Sequence, residues 1–109
     1  MDLKAITSEG APKALGPYSQ AITAGDLIFC AGQLAIDPAS GQLVEGDIKV
    51  QTTRTLDNLA AVLAAAGSDL AHVAKTTVFL VDLNDFTAMN ETYAQRFGQH
   101  RPEIGRAHV

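Results

Sequence analysis

Apolar and polar positions alternate through the first third of the chain, and this pattern predicts short β-strands. Residues 3–7 alternate, and a loop with two prolines and two glycines follows them. Residues 18–36 predict two more strands joined by a tight turn at Ala24-Gly25-Asp26. Because residues 27–31 are nearly all apolar, the second of these strands is expected to be covered on both faces. A short strand is also predicted at residues 42–44.

Helical spacing appears in the middle of the chain. Leu56, Leu59 and Leu63 recur at intervals that place them on one face of a helix. Asp47 is suited to cap the start of this helix, and Gly67 to end it in a left-handed conformation.

A strand and a second helix complete the predicted order. Residues 75–82 are rich in β-branched and aromatic side chains and have a charged residue at each end, which is typical of a strand. In the second helix the apolar stripe consists of Phe86, Met89, Tyr93 and Phe97. Gly98 ends it. A helix that returns to a sheet requires one more strand, but the pattern of residues 103–109 predicts none.

Composition restricts the possible functions. A chain of 109 residues with 47% apolar residues predicts one globular domain. The net charge of −4 and the dispersed lysines and arginines argue against nucleic-acid binding. No apolar run approaches the ~20 residues of a membrane span, and the first residues lack the order of a signal peptide. A lone cysteine, Cys30, suits a reducing cytosol, so a cytoplasmic location is expected.

Several residues have both a structural and a chemical interpretation. His72, His100 and His108 are not spaced as metal ligands, so packed or surface histidines are expected. For Cys30, the role of a small buried hydrophobic residue is favoured over that of a nucleophile. Tyr18 follows a Gly-Pro turn, and its ring can lie at the core edge or form the wall of a pocket. The sequence contains no glycine-rich phosphate-binding motif. Its acidic residues are interpreted as helix caps and solvent-exposed side chains.

Five motifs in order resemble one family. The segments "GPYSQA", "AGQ", "LDNL", "KTTVFL" and "MNETYAQRF" occur with the order and spacing of the RidA family, also called YjgF/YER057c/UK114. The similarity extends from about residue 7 to residue 102. It implies an α+β, chorismate-mutase-like fold, in which a mixed β-sheet carries two helices on one face, with the final strand or strands missing from this chain.

The resemblance also implies an activity and an assembly. The family's activity is deamination of 2-iminobutanoate and 2-iminopropanoate, reactive imino acids released by pyridoxal-phosphate dehydratases, to 2-keto acids and ammonia. No cofactor or metal is implied, and the expected partners are the imino acid and two further copies of the chain, in a homotrimer with clefts between subunits. Some members have been described as endoribonucleases, which the acidic charge does not support. The alternative is a non-catalytic small-ligand-binding or interaction module on the same trimeric fold.

The resemblance assigns site residues one by one. Tyr18 matches a family tyrosine that lines the substrate, and Ala31, Gly32 and Gln33 match a substrate-binding turn whose usual serine is Ala31 here. Asn90 matches an asparagine near the subunit interface. The catalytic residues cannot be assigned, because the family's carboxylate-binding arginine and water-orienting glutamate have no match in this chain. Ile104 occupies the arginine's position.

The final seven residues have an external explanation. "EIGRAHV" can be encoded by GAG ATC GGA AGA GCA CAC GTC, which after its first base is a widely used sequencing-adapter sequence. We therefore expect a RidA-like domain at residues 1–102, incomplete at its C-terminus, and an adapter-encoded tail at residues 103–109. The 109-residue chain itself is then expected to be inactive.

The source locus tests this expectation. Genomic DNA should diverge from the adapter sequence after the codon for Pro102. Uninterrupted genomic DNA that encodes residues 103–109 and then a stop codon would contradict it.

Overall fold

The computed structural model describes the backbone of residues 2–108 and the side chains of residues 2–105. Within that range the strands are β1 (Leu3–Ile6), β2 (Ala21–Ala24), β3 (Leu27–Cys30), β4 (Lys75–Leu80) and β5 (Glu103–His108), and the α-helices are α1 (Ile48–Ala65) and α2 (Phe86–Phe97). Short 3-10 turns at Leu70–His72 and Leu83–Asp85 flank β4. Among the described helices, none is long and apolar enough to cross a membrane.

The first three strands form an antiparallel sheet in the order β1-β2-β3. Ala24 pairs with Leu27 across the predicted turn, and Ala21 pairs with Cys30 at the open end of the hairpin. The prediction that β3 is covered on both faces does not hold within the single chain. Leu27 and Phe29 are 62% and 61% exposed, whereas Ile28 and Cys30 pack against the core, so the strand buries one face within this chain.

Local signals predicted the helix ends correctly. The Asp47 carboxylate accepts a hydrogen bond from the Val50 backbone N–H at 3.0 Å, which satisfies one of the free donors of the first turn of α1. Gly67, at φ 82°, and Gly98, at φ 63°, take up the left-handed region just after the two helices. Met89 and Phe97, from the predicted stripe of α2, are buried.

A strand follows the second helix, contrary to the sequence prediction. β5 pairs in parallel with β4, with Lys75 opposite Glu103 and Leu80 opposite His108. The physical reason is that a parallel ladder is made by backbone groups, which pair without needing an alternating side-chain pattern. By contrast, the strand predicted at residues 42–44 is reduced to a single bridge between Ile36 and Leu43.

Helix α1 packs against both α2 and β3. Ile6, Ala11, Ala21 and Val62 form a buried cluster, against which Cys30 and other partly buried side chains pack. The antiparallel and parallel sheets together with two packed helices confirm the predicted α+β class.

Candidate functional site

Gln20 ties together the two segments predicted to line a substrate. Its backbone carbonyl accepts a hydrogen bond from the Ala31 N–H at 2.9 Å, directly beyond the last pair of the β2–β3 hairpin. Tyr18 precedes this contact by two residues, and Gly32 and Gln33 follow it. The structure therefore brings Tyr18 and the turn at residues 31–33 to the same end of one hairpin.

The buried side chain of Gln20 also holds the loop that leads to Tyr18. Its carbonyl oxygen accepts from the Ser8 N–H at 2.6 Å, and its amide group donates to the Ser8 and Pro12 carbonyls at 3.2 Å and 2.7 Å. This loop would otherwise have unpaired backbone groups beside the core. The sequence analysis missed Gln20, although a polar residue directly before a buried alanine in a strand is a usable signal.

One backbone N–H group of the turn at residues 31–33 is already hydrogen-bonded. The N–H of Ala31 bonds to Gln20, so the N–H groups of Gly32 and Gln33 are the remaining backbone donors of the turn. The side-chain amide of Gln33 folds back to the Ala31 carbonyl at 3.3 Å. A methyl group placed on Gly32 would meet no atom of a non-adjacent residue within 4 Å, so a ligand can approach this backbone closely.

Tyr18 projects from the chain instead of packing into it. The residue is 55% exposed, and its backbone N–H donates to the Gly16 carbonyl at 2.8 Å, forming a tight turn. An exposed ring on a short turn is available as a pocket wall. Among the described residues, Tyr18 lines neither the cavity beside Asn90 nor the groove between α1 and α2.

Asn90 lies in a different place. It is half-buried in α2 and lines a cavity of about 220 Å³ together with Tyr93, Arg101 and Ile104. Tyr18 and the turn at residues 31–33 do not line this cavity. Ile104 presents an apolar side chain there, so the cavity has no guanidinium at the position where the resemblance implies one.

A buried amide supports the segment that follows the turn. Asn58 in α1 is fully buried and donates to the carbonyls of Leu34 at 3.0 Å and Ile36 at 2.8 Å. Its oxygen accepts from Arg54 Nε at 3.0 Å. The sequence signal for this residue is an asparagine among the leucines of a helix, a position at which a polar side chain needs buried partners.

Cys30, His72 and His100 each have a structural role. Burial raises the pKa of the half-buried Cys30 thiol, which disfavours the thiolate that a nucleophile requires. His100 contacts the Val73 carbonyl at 2.6 Å, and His72 contacts Asp69 at 2.7 Å, an interaction that lowers the pKa of that carboxyl. His108 lies outside the described side chains. Within the described residues no group of three potential metal ligands occurs.

Comparison with known proteins shows which family the chain resembles. The sequence profile of the family described as endoribonuclease L-PSP matches residues 8–109. A RutC family protein of Pyrococcus horikoshii is 56% identical over 97 residues, which cover 89% of this chain and 77% of that protein. The human 2-iminobutanoate/2-iminopropanoate deaminase is 44% identical over 99 residues, which cover 91% of this chain and 72% of the human protein.

The chain belongs to the endoribonuclease L-PSP family, that is, the RidA/YjgF family. A solved structure of Escherichia coli TdcF with bound serine superposes with a TM-score of 0.92 at 37% identity, and the match covers 97% of this chain and 85% of TdcF. These findings confirm the family resemblance and the fold that it implied. Relatives named imine deaminases support a deaminase activity at the level of the family.

Asn58 offers a test of how the family fold supports the turn. Asn58→Leu removes three hydrogen bonds and leaves two carbonyls and a guanidinium Nε without their partner. We expect the free energy of unfolding to fall by about 3 kcal/mol, measured by urea denaturation. Asn84→Leu, at an exposed position before α2, is the control and should change stability by less than about 0.5 kcal/mol. Equal effects of the two substitutions would show that the Asn58 contacts do not stabilise the fold.

Proposed function

We propose that this protein is a deaminase that hydrolyses 2-iminobutanoate and 2-iminopropanoate to the corresponding 2-keto acids. The observation that carries the proposal is the 44% identity with the human protein named for this activity, over 91% of the chain. Among relatives of similar identity, several are described only as RutC family proteins, so the substrate of this chain is part of the proposal.

The reaction needs few groups. Water adds to the imine carbon, the C–N bond breaks, and the products are a 2-keto acid and ammonia. An imine conjugated to a carboxylate is already electrophilic, so the protein has to hold the carboxylate, orient the water and limit access of bulk solvent. We therefore propose a cofactor-free reaction. A cytosolic location is proposed with it, on the basis of the lone, unpaired Cys30.

Three features of the hairpin end support a substrate site. Tyr18 supplies an exposed aromatic wall, and the Gly32 backbone is open to close approach. The N–H groups of Gly32 and Gln33 can donate to a substrate oxygen. Ala31 provides no hydroxyl, so any hydrogen bond from this turn comes from its backbone or from Gln33.

The proposed assembly is a homotrimer whose clefts complete the site. Its support is the number of large apolar side chains that the isolated chain exposes on the strands. Leu27, Phe29 and Phe79 are each more than 60% exposed. Because such side chains favour burial, further copies of the chain are the proposed cover, and a cleft between copies gives the Tyr18 ring an opposite wall. Asn90 is proposed to lie near this interface.

The second candidate is a ligand-binding module without catalysis. The specific observation in its favour is Ile104, which stands where the family arginine would bind a substrate carboxylate. A pocket without this cation loses a charge-assisted, bidentate contact. Ribonuclease activity is not proposed, because a net charge of −4 disfavours binding of a polyanion.

The two candidates can be separated with a chimera. Residues 103–109 are replaced by the segment of the human relative that follows its equivalent of Pro102. We expect the 109-residue chain not to accelerate 2-iminobutanoate hydrolysis over buffer, and the chimera to accelerate it, as followed by release of 2-oxobutanoate. The reason is that the family resemblance implies a carboxylate-binding arginine in the replacement segment, and the 109-residue chain has Ile104 at that position.

The control is the chimera with that arginine replaced by methionine, which should lower kcat/KM by about 10- to 100-fold. A folded but inactive chimera would favour the binding module. Activity of the unaltered chain equal to that of the chimera would contradict the requirement for the arginine.

A further inference from the structure

A second potential ligand site lies between the two helices, away from the hairpin end. An open groove of about 450 Å³ lies between α1 and α2, and Val44 from the preceding loop also lines it. This volume falls in the range of roughly 300–1,000 Å³ that is usual for small-molecule sites. The groove shares no lining residue with the turn at residues 31–33 or with the Asn90 cavity.

Arg54 is a fixed cation in this groove. Its side chain is half-buried, and its Nε donates to the Asn58 oxygen at 3.0 Å. Asn58 is itself fully buried and held by two backbone carbonyls. The guanidinium is thus held at one nitrogen by a rigid neutral amide. No described residue bonds to its two terminal nitrogens, which can therefore contact a ligand. Such a fork is pre-organised for a carboxylate or a phosphate.

The neighbouring charges are already paired with each other. Lys49 contacts Glu91 at 3.0 Å, and Asp57 is paired with Arg96. Arg54 has no ion pair among the residues that the structure describes. The groove therefore carries one uncompensated positive charge, with the Asp57 carboxylate nearby. This charge balance favours an anion with a single charge over a dianion.

The walls of the groove indicate the rest of the ligand. Val44 and Val50 give it an apolar side, whereas Thr53 and Thr92 supply hydroxyl groups. An apolar wall beside a guanidinium matches a molecule with one carboxylate and a short hydrocarbon body. We propose that this groove binds a short-chain monocarboxylate, with its carboxylate on Arg54 and its hydrocarbon chain against Val44 and Val50.

Titration of the 109-residue chain with butanoate, observed by NMR, tests the proposal. We expect saturable shifts in the backbone amides of Val50, Thr53 and Thr92. In Arg54→Gln the apparent Kd should rise by about tenfold or more, because a charge-assisted contact is lost. Inorganic phosphate at neutral pH should bind more weakly than butanoate.

Lys4→Gln is the matched control, since it removes the same charge from an exposed position on β1 and should leave the Kd unchanged. The titration of the unsubstituted chain tests the site even if Arg54→Gln does not fold. An absence of saturable shifts would overturn the proposal, as would shifts confined to residues 31–33 or an equal loss of affinity in Lys4→Gln. Tighter binding of phosphate than of butanoate would overturn the preference for a single charge.

Discussion

The structure is governed by one constraint: each sheet has two faces, and the helices of a single chain cover only one of them. Exposure alternates along β3 and β4, as expected for strands with one packed face. The outward positions include large apolar residues, among them Phe29 and Phe79. Burying one such side chain contributes roughly 1.5–3 kcal/mol, so a surface with several of them has a strong tendency to associate. In the proposed trimer these side chains become the subunit interface.

The same constraint bears on the candidate site. Gln20 brings Tyr18 and the turn at residues 31–33 to the same end of one hairpin, but the tyrosine stays 55% exposed. In the proposed assembly this hairpin end forms half of a cleft, and a neighbouring copy supplies the other half. Two buried side-chain amides fix the backbone on either side of this site. Gln20 holds the loop before the hairpin, and Asn58 holds the segment after the turn. The groups proposed to bind the substrate are thereby attached to rigid elements.

Sequence reasoning succeeded where the determining interactions are local. The Asp47 cap, the apolar stripe of α2 and the glycines after the helices depend on residues within a turn or two of each other. It failed where the determining partner is distant. Burial of β3 depends on what covers its outer face, and β5 exists because β4 offers backbone groups for pairing. The two backbone carbonyls that accept from Asn58 lie 22 and 24 residues away in the sequence, and no local pattern reveals them. Tyr18 and the turn at residues 31–33 were predicted as site residues only from the family motifs. The local sequence left open whether the Tyr18 ring lies at the core edge or forms the wall of a pocket.

Sedimentation equilibrium tests most directly whether self-association covers the outer faces of the sheets, as proposed. The chain should sediment at about three times its mass of 11.5 kDa. Phe29→Lys and Phe79→Lys should each shift it toward the monomer, because a charge cannot be buried unpaired in an apolar interface. Leu15→Lys is the control, since Leu15 is an even more exposed apolar residue in a loop outside the sheets, and it should leave the mass unchanged. A folded chain that sediments as a monomer, and is unaffected by either phenylalanine substitution, would contradict the account.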